Sequence, residues 1–342
     1  MGFKYVRQMP SVEEVLKTMP VSEKLASIKA QRDKEISSVI KGESDKFLVI
    51  IGPCSADNED ALIEYVARLA KLADEVKDKL ILIPRIYTNK PRTTGEGYKG
   101  MAHQPTPTEA PNMLKGLKAI RKMHIRAMKE SHLTSADEML YPGNYSYLAD
   151  ILSYVAVGAR SVENQLHRLT ISGLDVASGM KNPTNGDIEV MLNSVNAAQL
   201  PHVFVYNGWE VSTPGNPLAH CILRGAVDHY GTSIPNYHYE NLMRVSDAYN
   251  KRSLHFPAII VDTNHANSNK LFQEQPRIAK EVMWSRIHSK TLRGKVKGLM
   301  IESYLVEGAQ KVSENVYGKS ITDPCLGWET SERLVRDLAE LA

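Results

Sequence analysis

Three cysteines in 342 residues, at positions 54, 221 and 325, are too few and too widely spaced for a disulfide framework. A reducing cytoplasm is therefore the expected compartment. No stretch approaches the roughly 18 to 20 uncharged apolar residues that cross a bilayer, and Met1-Gly2-Phe3-Lys4 lacks the apolar core of a signal peptide. Charge of one sign is also missing: 42 basic against 39 acidic residues leave +3, too even for a nucleic-acid or membrane-surface protein. No repeat of sequence and no low-complexity linker divides the chain.

What is present is a chain with 42% hydrophobic residues, enough for a large core. Short β-rich apolar runs alternate with helical patterns. Strands are expected at Phe47 to Ile51, Leu80 to Ile83, His202 to Tyr206, Ala258 to Val261 and Gly298 to Ile301, with weaker ones near Leu133, Val155 and Val176. Between them, Leu62, Ile63, Val66, Leu69 and Leu72 keep helical spacing, and residues 112 to 131 read the same way. Eight strand and helix repeats close naturally into a (β/α)8 TIM barrel, about 250 residues in its usual form, with a doubly wound open sheet as the alternative. Residues 1–45 stand before this pattern as an N-terminal helical extension, with Ser11 and Glu14 spaced as a capping box. The barrel is expected over residues 46–342.

Barrel enzymes build their sites at the ends of the strands, from separate loops. In order, those ends carry Cys54, then Arg85 with Lys90 and Arg92, Glu138, Arg160, Lys181, Arg224, His265 and Glu302, with Asp323 before the last helix. Two chemical groups emerge. Arg85, Lys90, Arg160, Lys181 and Arg224 place five cations at one mouth, which suits an anionic substrate; Arg offers a fork to phosphate oxygens and Lys a compact charge. Cys54, His265, Glu302 and Asp323 offer one thiolate, one imidazole and two carboxylates, a set that can hold a divalent metal. Spacing alone does not support a metal, and a buried cysteine with a hydrogen-bonded core histidine explains the same residues.

Several segments in order decide between these readings. Ile51-Gly-Pro-Cys-Ser55, Lys90-Pro-Arg-Thr-Thr94, Gly158-Ala-Arg-Ser-Val-Glu-Asn-Gln165, Lys181-Asn-Pro-Thr-Asn-Gly186, Ile222-Leu-Arg-Gly225, His265-Ala-Asn-Ser268, Ile301-Glu-Ser303, Leu305-Val-Glu-Gly308 and Gly318-Lys-Ser-Ile-Thr-Asp323 resemble the type I 3-deoxy-D-arabino-heptulosonate 7-phosphate (DAHP) synthases. The resemblance runs from about residue 46 to the C-terminus. It implies condensation of phosphoenolpyruvate with D-erythrose 4-phosphate, a first step towards aromatic amino acids. It also implies that Arg85, Lys90, Arg160, Lys181 and Arg224 hold phosphoenolpyruvate, with Glu138 and the Ala159 backbone beside it. The Lys90-Pro91-Arg92-Thr93 turn would receive the aldose phosphate. Cys54, His265, Glu302 and Asp323 would bind Mn, Fe or Co, with Zn also admitted, and Lys90, Cys54 and His265 would carry the chemistry. A homodimer or homotetramer and an aromatic amino acid effector are expected on the same ground. The stretch from Tyr206 to Ile222 is shorter than in feedback-controlled members, and Asp175 stands where they carry serine, so the choice of effector stays open. The rival readings are a Kdo 8-phosphate synthase, whose corresponding loop reads Lys-Ala-Asn-Arg, and a non-catalytic regulatory homologue, which would have lost ligands or cations.

Overall fold

A computed structural model describes residues 2–92 and 97–342. Eight parallel strands form one sheet in sequential order: Phe47–Gly52, Leu80–Pro84, Ser135–Glu138, Leu152–Val157, Ala177–Lys181, Ala219–Leu223, Ile259–Asp262 and Val296–Glu302. The first strand pairs with both the second and the eighth. Between the second and third strands the seam is closed by a bridge from Arg85 to Ala136, with the Ile86 amide donating to the Ala136 carbonyl at 2.9 Å. The sheet is therefore a (β/α)8 barrel.

Alternation along each strand sorts the side chains into two cores. Val49, Ile51, Leu82, Val155, Val157, Cys221, Leu223, Val261 and Leu299 face outward to the helices. Leu48, Ile50, Ile81, Ile83, Ala136, Tyr154, Ala156, Ala177, Ile222, Ile260 and Met300 fill the interior. Layers of mixed size fit because some inward positions carry no side chain: a Cβ on Gly179 would run into Ile222 and the Tyr154 hydroxyl. The helix Glu59–Val76, capped by Asn58, and the helix Met113–Ser131, capped by Asn112, cover the outer face and pack on each other.

The sixth strand differs from the sequence expectation. Residues His202–Tyr206 are not in the barrel; they pair antiparallel with Trp209–Thr213 in a hairpin whose Asn207 and Gly208 both have positive φ, at 49° and 84°. That Asn-Gly pair is the signature of a tight hairpin turn. The barrel position is taken by Ala219–Leu223, whose five residues are all buried. The polar member, His220, is accommodated by a 2.7 Å contact with the Tyr154 hydroxyl and a 2.8 Å contact with the Leu218 carbonyl.

The N-terminal helices form as expected, over Val12–Thr18 with the Ser11/Glu14 capping box, and over Glu23–Lys41. Ile36, Val39 and Ile40 of the second helix are buried in the same cluster as the inward-facing strand residues, so this helix stoppers one end of the barrel. Its Arg32 donates to the Leu82 carbonyl of the second strand at 2.6 Å.

Candidate functional site

The inward parity of each strand, continued by two residues, delivers the polar groups at the end where the strands finish. Glu302 follows Met300, Lys181 follows Gly179, Glu138 follows Ala136, Arg224 follows Ile222 and Asp262 follows Ile260. Arg85 lies in the same layer, two residues after Ile83. A bulky residue is excluded at Gly158, where a Cβ would collide with Glu138.

A polar cavity of about 100 Å³ opens over this layer. Its cationic walls are Lys90, Arg92, Arg160, Lys181, Arg224 and Lys270. Glu138, Ala159, His265 and Asp323 complete the lining that concerns the sequence expectations. Lys181, Lys90 and Arg224 are almost fully buried, whereas Arg160 stands exposed at the rim. Burial lowers the pKa of Arg224, and one of its guanidinium nitrogens, Nη1, has no hydrogen-bond partner among the described residues. A buried, unsatisfied cationic donor is costly unless an anion completes it. Thr93 lies outside the described residues.

Arg85 is placed differently from the other cations. It sits beneath the cavity and does not line it. It is buried, donates to the Pro53 carbonyl and to the Cys54 carbonyl at 3.0 Å, pairs with Glu302 at 2.9 Å and stacks over Tyr87 at 3.7 Å. Burial lowers its pKa, but attraction from Glu302, helped by Tyr87, Cys54 and Asp262, outweighs that cost and raises it.

Three of the four candidate ligands meet at one side of the cavity floor, and His265 stands beside them. Donor atoms of Cys54, Glu302 and Asp323 lie within 4.8 Å of one another. His265 Nε2 approaches Glu302 Oε1 at 4.0 Å. A soft thiolate, two carboxylates and an imidazole converging in this way fit a divalent transition metal. The supporting contacts fit too. Asn264 donates to Glu302 Oε2 at 2.6 Å, and Asp262 Oδ2 lies 2.9 Å from His265 Nδ1, which leaves Nε2 facing the other ligands. The same oxygen accepts from Lys181 at 3.0 Å. Despite burial, His265 and Lys181 together hold the Asp262 carboxyl well below its usual range. His265 adopts φ +53°, a strained conformation for a residue with a side chain, and its carbonyl is fixed by the Lys270 amide at 2.8 Å.

Lys90 Nζ lies 3.0 Å from Cys54 Sγ. Burial alone would lower the lysine, but Cys54 and Glu302 outweigh it and its pKa is raised. Burial, helped by Glu302, pushes the Cys54 thiol up. Asp323 is lowered because Lys90, Lys270 and His265 outweigh its desolvation. The Cys54 amide also points at Cys325 Sγ, 3.3 Å away, so the second cysteine packs directly behind the first.

Sequence reasoning missed Asp262, Asn264 and Lys270. Asp262 was detectable as the inward residue two beyond Ile260; the others sit in the loop that bears His265 and carried no separate signal.

The family model described as the DAHP synthetase I family matches residues 20–336. A phospho-2-dehydro-3-deoxyheptonate aldolase of Haemophilus influenzae is 38% identical over 334 residues, covering 95% of this chain and 89% of that protein. The Phe-sensitive enzyme of that name from Escherichia coli K12 is also 38% identical, covering 98% of this chain and 95% of its own. The solved structure of a phospho-2-dehydro-3-deoxyheptonate aldolase from Francisella tularensis SCHU S4 superposes with a TM-score of 0.91 at 30% identity, covering 99% of this chain and 98% of that one.

Proposed function

Because the chain belongs to the DAHP synthetase I family and is an enzyme of the DAHP synthase class, a transferase, we propose that it joins phosphoenolpyruvate to D-erythrose 4-phosphate. Water is consumed, phosphate leaves, and the product is 3-deoxy-D-arabino-heptulosonate 7-phosphate. The observation that carries this reading is one cavity walled by six cations beside a cysteine and carboxylate cluster, with the His265 imidazole 4.0 Å from Glu302. Two phosphorylated anions account for that many cations; a single neutral substrate does not.

In this reading Lys181, Arg224 and Arg160 hold the phosphate and carboxylate of phosphoenolpyruvate, with Glu138 and the Ala159 backbone alongside. Arg85, from below, fixes Glu302 and the Pro53 and Cys54 carbonyls, and so shapes the floor on which phosphoenolpyruvate sits. Arg92, with Thr93, receives the aldose phosphate, and Lys90 lies between the substrates. Cys54, His265, Glu302 and Asp323 hold one divalent metal, Mn, Fe or Co, with Zn compatible. When bound it supplies Lewis-acid polarisation of the aldehyde oxygen.

C3 of phosphoenolpyruvate attacks the aldehyde carbon, and a carbon–carbon bond forms as the aldehyde oxygen gains negative charge. Lys90, whose Nζ lies 3.0 Å from Cys54 Sγ between the two substrate positions, delivers a proton to that oxygen. Water adds at C2 and loses its proton, after which the bond from C2 to the phosphate oxygen breaks. Lys181 and the arginines stabilise the departing phosphate.

We further propose that residues 1–45 are an extension of a barrel domain spanning 46–342, that the enzyme works in the cytoplasm, and that it assembles as a homodimer or homotetramer. An aromatic amino acid effector is proposed from the sensitivity named for the Escherichia coli relative. No described helix is long and apolar enough to cross a membrane.

The test is phosphate release from phosphoenolpyruvate with and without erythrose 4-phosphate, arabinose 5-phosphate and chelator. Release is expected with erythrose 4-phosphate alone, to stop after stripping, and to return with Mn(II), Fe(II) or Co(II). Full turnover by protein shown by metal analysis to hold none would overturn the metal assignment. Preference for arabinose 5-phosphate would overturn the substrate.

A further inference from the structure

Beneath the loop that bears Lys90 and Arg92 lies a buried carboxylate that the proposed chemistry does not use. Asp137, in the third strand, is 3% exposed. Its Oδ1 accepts from the Thr88 amide at 2.9 Å and from the Glu138 amide at 2.7 Å, and its Oδ2 accepts from the Thr88 hydroxyl at 2.5 Å. Asn89 in turn donates to the Thr88 hydroxyl oxygen at 3.1 Å. Behind the carboxylate, His124 of the helix Met113–Ser131 is fully buried, with Nε2 3.6 Å from Asp137 Oδ2 and Nδ1 2.8 Å from the Ser135 hydroxyl.

The position of this group on the chain gives it significance. Thr88 is two residues before Lys90, and the segment from 88 to 92 carries both Lys90 and Arg92. Glu138, the adjacent residue, lines the cavity from the third strand. One side chain thus ties the root of the cation-bearing segment to the third strand, across the seam that the bridge from Arg85 to Ala136 also closes. Three charge-assisted hydrogen bonds on a buried carboxylate make a stiff anchor, because each donor would be left unsatisfied if the carboxylate were lost.

We propose that Asp137 is a positioning residue for substrate phosphate: by clamping Thr88 it sets where Arg92 stands, while Lys90 Nζ is held separately 3.0 Å from Cys54 Sγ, and so it determines affinity for the aldose phosphate. It touches no substrate. This rests on the functional reading above, in which Arg92 binds that phosphate.

The test uses Asp137→Asn and Thr88→Val in the full-length, metal-loaded enzyme. In asparagine the NH2 that replaces Oδ2 cannot accept from the Thr88 hydroxyl, and valine removes that hydroxyl while leaving Asp137 in place. For Asp137→Asn the KM for erythrose 4-phosphate is expected to rise about tenfold, with the KM for phosphoenolpyruvate changing less and kcat staying within about threefold. Thr88→Val should shift the same KM in the same direction, which keeps the idea testable if the asparagine variant fails to fold. In an Arg92→Ala background, Asp137→Asn should add less than about twofold, since the group it positions is gone. A merely structural role would instead lower kcat with unchanged KM, and that result would overturn the proposal. So would full additivity with Arg92→Ala. If the wild-type enzyme makes no product from erythrose 4-phosphate, the functional reading has failed; if it does, and neither variant changes KM, only the positioning role has failed.

Discussion

Among single residues, the cavity cations divide by which substrate each one serves. Arg92→Ala should raise the KM for erythrose 4-phosphate by tenfold or more and leave phosphoenolpyruvate nearly unaffected, as expected for loss of a charge-assisted contact of about 1.5 to 3 kcal/mol. Lys181→Ala should do the reverse, and steady-state kinetics with each substrate varied in turn would expose a wrong division as equal effects. Asp57 offers a test of stability. Its carboxyl is mostly buried, Oδ1 has no partner among the described residues, and burial pushes its pKa up to about 7 from 3.8. The folded protein therefore keeps a proton that the unfolded chain releases above pH 4, so stability falls as pH rises and the loss levels off above pH 7. At about 1.4 kcal/mol per unit, the total is at most a few kcal/mol. Asp57→Asn mimics the protonated form, so urea midpoints should show the variant gaining on wild type between pH 5 and pH 8. A constant difference across that range would show that Asp57 ionises freely. Such residues also mark how much the sequence could reveal. Cations at strand ends were legible because position and charge both pointed to an anion. Asp262 was legible only through its inward parity two residues beyond Ile260, and Asp137 not at all, because an acidic residue beside an anion site looks contrary until its partners, Lys181 and His265 for one and Thr88 for the other, are seen.

Of the elements, the strands at 47–52, 80–84, 259–262 and 296–302 follow from runs of apolar β-formers, and Leu152–Val157 follows from a weaker run. Ser135–Glu138 and Ala177–Lys181 carry few such residues and lie beside weaker expectations, and the sixth strand shows where that signal fails. His202–Tyr206 has the better strand composition, yet its residues alternate between half-buried and exposed, as an outer hairpin requires. Ala219–Leu223 carries a histidine at its second position and is entirely buried. Burial lowers His220 to about 4, so it enters the core as a neutral ring, satisfied by Tyr154 and the Leu218 carbonyl. A partner on a strand more than 60 residues away is invisible to local pattern. The helix Glu23–Lys41 gives the converse lesson: its charged character reads as a peripheral extension, while Ile36, Val39 and Ile40 are fully buried among interior strand residues. Ile36→Ala should therefore cost about 2 to 5 kcal/mol, the range for large-to-small changes in a core, measured as a shift in the urea midpoint. A loss well below 1 kcal/mol would mean that the helix only rests on the barrel.

For the molecule as a whole, the outer hairpin leaves Val203, Val205 and Trp209 about 70% or more exposed. Apolar side chains clustered on one projecting element favour association, in line with the proposed homo-oligomer. Sedimentation equilibrium should return the mass of a dimer or tetramer at micromolar concentration, with Val205→Glu shifting it towards monomer; a monomeric wild type would refute the assembly. The barrel's stopper has a different consequence, one of timing. During synthesis the helix Glu23–Lys41 is among the first parts to leave the ribosome, but the barrel end that its apolar edge stoppers is complete only when Val296–Glu302, made near the end, pairs with Phe47–Gly52. Until then the nascent chain must carry that edge without a closed barrel to cover it. Productive closure is thus deferred to release of the whole chain, a high-contact-order event that exposes the growing polypeptide to chaperones for most of its translation.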